Sequence, residues 1–213
     1  MKSIADIRTE YTKAGLDEKD ADHDPIVQFD RWMNDALAAS VFEPTAVTMA
    51  TATSEGIPKA RIVLLEAYDD AGFSGFKKYE RAKGLELAEN PKACLVAYWG
   101  PLERQVRICG TVSKTSAAES DAYFARRPRG SQLGAWVSEQ SRPIESRDVL
   151  AKQLESVTAR FESKPVTRPP HWGGYRVAPS TIEFWQGRKN RLHDRLLYVK
   201  QGDGSWKIER LAP

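Results

Sequence analysis

Hydrophobic and polar positions follow two different periods along this chain, and the change of period separates helical from strand-forming segments. The first clear period is helical. Asp24 precedes Pro25, which is the arrangement of an N-cap followed by proline in the first turn. The apolar residues that follow recur at helical spacing, so we expect them to form one face packed on the core: Ile26, Phe29, Trp32, Met33, Ala36 and Leu37.

From residue 44 onward the pattern changes to short β-prone runs separated by Gly, Pro, Asp and Ser, which mark tight turns. Predicted strands lie at residues 45–53, 59–68, 73–76, 93–99, 104–113, 174–177, 181–185, 195–199 and 206–211. Helical spacing returns in a segment of about ten residues that ends near 89–91, and at 116–126 and 146–161. Helices inserted among adjacent strands indicate a mainly β fold with peripheral helices (α+β), built on an antiparallel barrel.

The domain organisation follows from where this patterning begins. Residues 1–24 are polar and rich in charge, with one short helical suggestion near residues 4–8, and they are predicted to form a mobile N-terminal arm. No internal repeat or break in composition divides residues 25–213, so they are expected to form a single domain. A chain of 213 residues is long enough to bury a substantial core.

One stretch late in the chain combines regular alternation with concentrated charge. If residues 191–198 are extended, Arg191, His193 and Arg195 point to one face of the strand. Neighbouring cations repel each other unless an anion faces them, and Trp185, shortly upstream, is suited to wall a planar ligand. Two interpretations stay open from the pattern alone: an anion-binding site, or a solvated edge strand with its charges in water.

Composition narrows the classes of function. The formal net charge of +3 is too small to favour nucleic acid or a membrane surface as partner. Cys94 and Cys109 lie in apolar runs without metal-ligand spacing, so both are predicted to be small buried hydrophobic residues rather than a disulfide, and no metal is expected. The first residues lack the apolar core of a signal peptide, and no apolar run is long enough to span a bilayer. A cytoplasmic location is therefore expected.

Longer motifs follow one another along nearly the whole chain: IRTEYTKAGL at 7–16, ARIVLL at 60–65, LERQVRI at 102–108, RPRGSQLGAWVSEQS at 127–141, WGGYRV at 172–177, EFWQG and RLHDR within 183–195, and WKIERLAP at 206–213. In this order they resemble the pyridoxamine 5′-phosphate oxidase family. The resemblance implies an FMN-binding split β-barrel that forms a homodimer, with FMN at the subunit interface. It also implies oxidation of pyridoxamine or pyridoxine 5′-phosphate to pyridoxal 5′-phosphate in vitamin B6 metabolism, with dioxygen as acceptor and hydrogen peroxide as product.

The resemblance also implies roles for individual residues. Arg191 and His193 match the family's catalytic contacts over the substrate ring. Cofactor-binding positions match Arg61, Ile62, Val63, Leu64, Leu65, Phe76, Lys77, Lys83, Gln105, Gln140, Ser141, Trp185 and Arg195. Substrate-binding positions, besides the two catalytic ones, match Arg8, Tyr11, Glu66, Tyr123, Arg127 and Ser131. Taken singly, Gln105 is also compatible with an ordinary strand-edge amide, and Tyr123 with a core aromatic.

The chain departs from the family pattern in two places. Glu66 stands where the family has a lysine that reaches the substrate phosphate, which exchanges an attraction for a repulsion of several kcal/mol if the site is partly desolvated. Residues 75–83 differ from the segment that cradles the flavin phosphate. Either Lys77, Lys78, Arg81 and Lys83 form a rearranged basic cradle, or the chain is a diverged homologue that binds flavin or pyridoxal phosphate with weak or no oxidase turnover.

Overall fold

The computed structural model describes residues 10–79, 87–137 and 144–213, and of Lys77 and Lys78 only the backbone. Its main element is a nine-stranded antiparallel sheet. The strands are β1 (Ala46–Ala52), β2 (Pro58–Leu64), β3 (Ala67–Asp69), β4 (Gly72–Lys78), β5 (Lys92–Trp99), β6 (Arg104–Lys114), β7 (Trp172–Gln186), β8 (Asp194–Lys200) and β9 (Trp206–Arg210). The helices described are α1 (Pro25–Ala38), α2 (Ala117–Arg126), α3 (Arg129–Val137) and α4 (Arg147–Arg160).

The strand order is β2-β1-β5-β6-β7-β4-β3, and β8 pairs with the second half of β7 and with β9. Within the described residues no ladder joins β2 to the far edge, so the sheet is not closed. The predicted mainly β fold with peripheral helices is confirmed. No helix in the described ranges is both long and apolar enough to cross a membrane.

Strand β7 is longer than its sequence pattern indicates. The two strands predicted at 174–177 and 181–185 are one continuous strand, because the break expected around Pro179 is taken up by a bulge in β7 at Ser180, the next residue. The register of β6 against β7 shifts between Cys109 and Gly110, and Gly110 pairs with Pro179. A Cβ at Gly110 would lie 2.0 Å from the carbonyl oxygen of Ala178, so the close approach of the two strands requires glycine there.

The predicted strand 59–68 is interrupted for a similar local reason. β2 ends at Leu64, after which the backbone N–H of Leu65 donates to Thr45 and that of Glu66 donates to Ser74. The backbone therefore changes its hydrogen-bonding partner from Thr45, just before β1, to Ser74 of β4 within two residues. β3 begins only at Ala67.

Helix α3 was not predicted, since proline at 128 and two glycines favour a turn over a helix. Tertiary contacts hold it in place. The side chain of Gln132 donates to the carbonyl of Phe124 at 3.0 Å, and Arg129 donates to the carbonyl of Phe161 at 2.6 Å. Leu133 is buried in a small hydrophobic cluster that also contains Phe124 and Phe161. These interactions outweigh a weak helix propensity.

The other helices agree with the sequence pattern in position but not always in burial. Ser116 caps α2 through a capping box with Glu119, as its serine suggested. Helix α4 lies where the period placed it, but its apolar face is only partly buried. Leu154 is 43% exposed, Phe161, just after the helix, is buried, and the other residues at that spacing are half-buried: Val149, Leu150 and Val157. Residues 4–8 and most of the helix predicted to end near residue 89 lie outside the described residues.

The core is formed by α1 against one face of the sheet. Phe29 is fully buried and contacts Phe73 and Trp99, with ring centres 5.0 and 5.9 Å away. Trp32 packs edge-on against Phe184 at 5.2 Å. Four residues of the predicted face are buried, namely Phe29, Trp32, Met33 and Ala36. Ile26 is half-buried, and the prediction is wrong for Leu37, which is 56% exposed near the end of the helix.

Cys94 and Cys109 form a disulfide between β5 and β6. The prediction of two unpaired, buried cysteines is wrong on both points, because each residue is half-buried and the two lie directly opposite each other in the ladder. Their Cα atoms are 4.1 Å apart. Such a short separation is typical of a non-hydrogen-bonded pair in an antiparallel sheet, which brings the side chains close. Sequence spacing alone does not reveal this register.

Candidate active site

Three rings meet where β7 ends and β8 begins. Trp185 lies near the end of β7, and its ring centre is 4.7 Å from that of His193. Tyr11 of the N-terminal arm contacts both rings edge-on, at 5.6 Å from Trp185 and 5.7 Å from His193. T-shaped contacts of this kind are favourable. We call these three residues the ring cluster, and all three are positions that the sequence predicted for the site.

The strand register places two more predicted residues beside the ring cluster. Gln105 of β6 lies directly opposite Trp185, and Arg195 of β8 lies opposite it on the other side. Opposed residues of antiparallel strands project from the same face of the sheet. Gln105, Trp185 and Arg195 therefore form one row, in which an amide and a guanidinium flank an indole wall. Such a row suits the polar edge of a planar heterocycle.

Arg195 is held in this row by a buried carboxylate. Its Nε donates to Oε1 of Glu183 at 2.8 Å, and its Nη1 donates to the carbonyl of Ala212 at 2.9 Å. Glu183 is 5% exposed and also pairs with Arg107 at 3.2 Å. The hydrogen bond to Glu183 raises the pKa of Arg195, which keeps the guanidinium charged. The row thus presents a positive group in a fixed orientation.

The extended backbone expected from Arg191 onward is wrong at its beginning. Lys189–Arg191 form a short 3-10 turn, in which Asn190 and Arg191 have φ angles of 56° and 60°. Strand β8 starts only at Asp194. Left-handed backbone at non-glycine residues costs free energy and is frequent where a side chain is oriented for function. Arg191 is exposed, and this turn rather than strand alternation sets its position.

The backbone orients the imidazole of His193. The N–H of Arg188 donates to Nδ1 of His193 at 3.1 Å. A ring nitrogen that accepts a hydrogen bond carries no proton, so the neutral imidazole has its proton on Nε2. His193 is half-buried beside Trp185, and this arrangement makes Nε2–H a hydrogen-bond donor toward a ligand.

A second group of predicted residues lies at the other end of β7. Tyr123 of α2 stacks on Phe76 of β4 at 4.1 Å, with the ring planes 6° apart. Both rings lie nearly parallel to Trp172, the first residue of β7, at 6.1 and 6.0 Å. The guanidinium of Arg127 lies 5.0 Å from the ring centre of Trp172. Tyr123 and Arg127 thus both lie beside Trp172, although α2 ends at Arg126 and Arg127 is its extended C-cap residue. We call these four residues the aromatic stack.

One donor in the aromatic stack is unused. Nη1 of Arg127 is buried and has no hydrogen-bond partner among the residues that the structure describes. An unpartnered buried donor is rare, and a charged one is especially costly. This nitrogen therefore indicates a place for an anionic ligand. Ser131, predicted to act with Arg127, is exposed in the first turn of α3.

Glu66 lies close to the aromatic stack. Partial burial raises the pKa of the Tyr123 hydroxyl, and the nearby carboxylate of Glu66 raises it further. Glu66 itself is exposed, in the short connection between β2 and β3. Near the start of β7 the structure therefore combines the cation of Arg127 with the anion of Glu66, as the departure from the family pattern suggested.

The predicted cofactor segment on β2 divides between two faces. Ile62 and Leu64 are 63% and 42% exposed, whereas the side chains of Val63 and Leu65 are buried in the core. Val63 and Leu65 can therefore contact a cofactor only through their backbone. Nη1 of Arg61 donates to Oγ1 of Thr51 at 2.6 Å, on the same side of the sheet as Val63.

The ring cluster and the aromatic stack lie at opposite ends of one strand. Trp172 begins β7 and Trp185 is its penultimate residue. A straight strand of thirteen residues would span up to about 43 Å, and the bulge shortens this distance. The structure thus brings the predicted residues together as two groups rather than as one site within a single chain.

Some predicted positions lie outside the described residues: Arg8, Lys83, Gln140 and Ser141, together with the side chain of Lys77. The question of a rearranged basic cradle at 75–83 therefore stays a prediction. In the ranges that the structure describes, no cluster of three or more His, Cys, Asp or Glu side chains is arranged for a metal ion.

Sequence reasoning assigned no role to several residues that organise the ring cluster. Glu103 and Asp194 accept backbone hydrogen bonds from the arm, and Gly187 gives room to the ring of Tyr11. A cleft of about 380 Å³ opens beside Tyr11 and is also lined by Arg188. Glu103 lies within a quoted motif, but its role depends on a partner about ninety residues away, which no local signal indicates.

Two family models match the chain. One, described as pyridoxamine 5′-phosphate oxidase, matches residues 33–161, and the other, described as the pyridoxine 5′-phosphate oxidase C-terminal dimerisation region, matches residues 172–213. A curated relative from Rubrobacter xylanophilus, named pyridoxine/pyridoxamine 5′-phosphate oxidase, is 57% identical over the whole of this chain and 97% of its own length. A relative of the same name from Nostoc punctiforme is 54% identical over the whole of this chain and 99% of its own.

Solved structures are similar as well. The crystal structure of PhzG from Burkholderia lata 383, in complex with tetrahydrophenazine-1-carboxylic acid, has a TM-score of 0.86 and 32% identity, covering 92% of this chain and 95% of that one. A pyridoxamine 5′-phosphate oxidase-related, FMN-binding protein from Nostoc punctiforme has a TM-score of 0.71 at 16% identity, covering 87% and 97%. At that identity the second likeness supports the fold alone.

Proposed function

The chain belongs to the pyridoxine/pyridoxamine 5′-phosphate oxidase family of flavin oxidoreductases, and from this membership we propose that it oxidises pyridoxamine and pyridoxine 5′-phosphate to pyridoxal 5′-phosphate. FMN is the proposed cofactor. Dioxygen is the proposed electron acceptor, with hydrogen peroxide as the second product. The proposed acting unit is a cytoplasmic homodimer that serves vitamin B6 metabolism.

The unpartnered Nη1 of Arg127 is the observation that carries this proposal. A guanidinium suits the geometry of a phosphate, and a buried donor binds one more strongly than an exposed donor does. Tyr123 supplies a hydroxyl in the same aromatic stack, and a phenol is a hydrogen-bond donor at neutral pH. The aromatic stack is thus equipped to hold the phosphate of a phosphorylated substrate.

The ring cluster is the proposed reacting end. In its neutral form the imidazole of His193 carries its proton on Nε2, and this N–H can donate to an oxygen on the substrate ring. Arg191 adds a positive charge that the left-handed turn orients. Tyr11 covers the side chains of Trp185 and His193 and thereby excludes water from them. These groups bind and orient the substrate and move a proton on its ring.

The residues of the row fit FMN. Gln105 and Arg195 offer an amide and a fixed guanidinium beside the indole of Trp185, which matches the polar edge of a flavin. Arg61 offers a guanidinium suited to the FMN phosphate. When bound, FMN would supply the two-electron redox chemistry of the reaction.

A homodimer with shared sites follows from the separation of the two groups. The aromatic stack and the ring cluster lie at opposite ends of β7, so we expect one substrate to use groups from two chains. A two-fold dimer brings the stack of one chain to the ring cluster of the other and forms two equal sites. The matched C-terminal dimerisation region supports this arrangement. Exposed Ile62 and Leu64 offer apolar surface for such an interface.

A direct assay of the purified protein tests the function. The protein is expected to be yellow, to release FMN on denaturation, and to form pyridoxal 5′-phosphate and hydrogen peroxide in equal amounts from pyridoxamine 5′-phosphate in air. A colourless protein that fails to bind added FMN would overturn the proposal. Size-exclusion chromatography with light scattering is expected to give twice the mass of the 23.9 kDa chain.

Glu66 favours a second candidate, a split-barrel protein that binds flavin or pyridoxal phosphate with weak or no turnover. Its carboxylate beside Tyr123 opposes a phosphate dianion. This candidate predicts saturable ligand binding without peroxide. The complex of PhzG contains a ligand with a carboxylate and no phosphate, so the same assay should also include a reduced phenazine carboxylic acid. If that compound gives peroxide and pyridoxamine 5′-phosphate does not, the proposed substrate is wrong.

A further inference from the structure

Glu103 occupies a position that ordinarily suits glycine. It follows the short 3-10 turn Gly100–Leu102 between β5 and β6, and its φ of 56° lies in the left-handed region. The residue is nevertheless 6% exposed, so a carboxylate is buried at a strained backbone position. A buried carboxylate requires hydrogen-bond donors. The identity of those donors indicates what the side chain does.

The donors come from the N-terminal arm. Oε2 of Glu103 accepts the backbone N–H of Thr12 at 2.8 Å and that of Lys13 at 3.0 Å. Two successive backbone donors on one charged oxygen hold the main chain itself, independently of the side chains it carries. The carboxylate therefore fixes the path of the arm directly after Tyr11.

The backbone of Glu103 binds the other wall of the same site. Its carbonyl accepts the N–H of Gly187 at 2.8 Å and Nε2 of Gln186 at 3.2 Å, at the end of β7. The ring of Tyr11 lies on Gly187 so closely that a Cβ there would be 2.6 Å from Cγ of the tyrosine. Glu103 thus joins the end of β7 to the segment that carries Tyr11.

We propose that Glu103 is a positioning residue, whose carboxylate fixes the arm and thereby keeps Tyr11 in the ring cluster. Its effect on catalysis rests on the proposed function, through the role of Tyr11 at the substrate. Asp194 holds the arm further along, by accepting the N–H of Leu16 at 2.9 Å. Loss of the Glu103 carboxylate therefore releases the segment around Tyr11 while the arm stays attached at Leu16.

Two substitutions separate the carboxylate from the backbone strain. Glu103→Gly removes the carboxylate and suits the left-handed backbone, so the variant is expected to fold. Glu103→Gln keeps an acceptor oxygen of the same reach but loses the charge, so it is expected to hold the arm in part. Asp35→Asn is the matched control, because Asp35 is a 55% exposed carboxylate that pairs with the neighbouring Arg104.

Tryptic cleavage after Lys13 reports the arm directly, since a protease needs that backbone detached from Glu103. The Glu103→Gly variant is expected to be cleaved there at least roughly tenfold faster than the wild type, with Glu103→Gln between them and Asp35→Asn unchanged. The KM for pyridoxamine 5′-phosphate should rise in the same order, with a smaller change in kcat and an unchanged affinity for FMN.

Two results would overturn the proposal. If Glu103→Gly is cleaved after Lys13 at the wild-type rate, the carboxylate does not fix the arm. If the cleavage rate rises but KM and kcat stay at their wild-type values, the carboxylate fixes the arm without positioning Tyr11 for the reaction. A wild-type protein without oxidase activity would instead contradict the proposed function. The cleavage rates alone would then show whether the Glu103 carboxylate fixes the arm.

Discussion

Replacing Arg127 by methionine should change the free energy of unfolding little but weaken the binding of the phosphorylated substrate strongly. Methionine keeps an unbranched apolar side chain over Trp172 but removes the buried Nη1, which has no partner in the described part of the chain. Arg126→Met is the matched control, because Arg126 is the preceding residue, carries the same charge and is exposed. The pair of variants therefore compares a half-buried arginine at the C-cap of α2, with its Nη1 buried, with an exposed arginine in the last residue of that helix.

The magnitudes follow from these contacts. Removing an unsatisfied buried donor relieves a desolvation cost of about 1–3 kcal/mol. Losing the guanidinium over Trp172 costs about 0.5–2 kcal/mol of cation–π stabilisation. These terms oppose each other, so the free energy of unfolding without ligand should stay within about 1 kcal/mol of the wild-type value. A lost charged hydrogen bond to phosphate costs about 1.5–3 kcal/mol, which corresponds to a ten- to hundredfold rise in KM.

The assay measures peroxide formation with pyridoxamine 5′-phosphate and with unphosphorylated pyridoxamine, and urea unfolding without substrate. Arg127→Met should raise KM for the phosphorylated substrate and leave KM for pyridoxamine nearly unchanged, whereas Arg126→Met should alter neither strongly. The reasoning is refuted if Arg127→Met keeps KM for pyridoxamine 5′-phosphate within twofold of the wild type. A loss of more than about 3 kcal/mol in the free energy of unfolding would also refute it, since Nη1 would then be satisfied in the folded protein.

Three further outcomes are expected. Glu66→Lys should lower KM for pyridoxamine 5′-phosphate about thirtyfold, because it removes one exposed negative charge and adds one positive charge, each contributing about 1 kcal/mol near a phosphate, and an unchanged KM would remove Glu66 from the phosphate site. Cys94→Ser should lower the free energy of unfolding by about 3 kcal/mol, the value for a disulfide that closes a loop of 15 residues, and reductant should lower that of the wild type equally but leave the variant unaffected. Gly187→Ala should displace Tyr11 at a cost of about 1–3 kcal/mol, seen as a higher KM, while wild-type kinetics would contradict the close contact between them.

The fold was predictable where one side-chain period runs uninterrupted through an element. Helix α1 and strands β1, β5 and β6 lie within one or two residues of their predicted ranges, because their buried positions recur regularly. Strand β7 was divided wrongly in two, since the strand accommodates Pro179 beside a bulge at Ser180, where its register against β6 shifts. Helix α3 was missed because contacts from Gln132 and Arg129, rather than its own propensity, hold it.

The candidate site was predictable as a set of residue types but not as an arrangement. The interpretation of an anion site at residues 191–195 depended on an extended backbone, whereas Arg191 lies in a left-handed turn and only Arg195 belongs to the strand. The pairing of Cys94 with Cys109 was missed for a related reason, because it depends on which residues oppose each other in a ladder. Strand register is a property of two segments, and neither segment contains it alone.

The period of the main elements, the family, and the chemical groups available for phosphate and flavin can be recognised in the amino-acid sequence alone. Which of these groups meet depends on how the elements pack. Packing separates the aromatic stack from the ring cluster along β7, leaves Nη1 of Arg127 buried without a partner in the described residues, and joins Glu103 to Thr12 across 91 positions of the chain. The physical reason is that residue spacing encodes contacts within a helix or strand, whereas burial and long-range hydrogen bonds arise only when the elements pack.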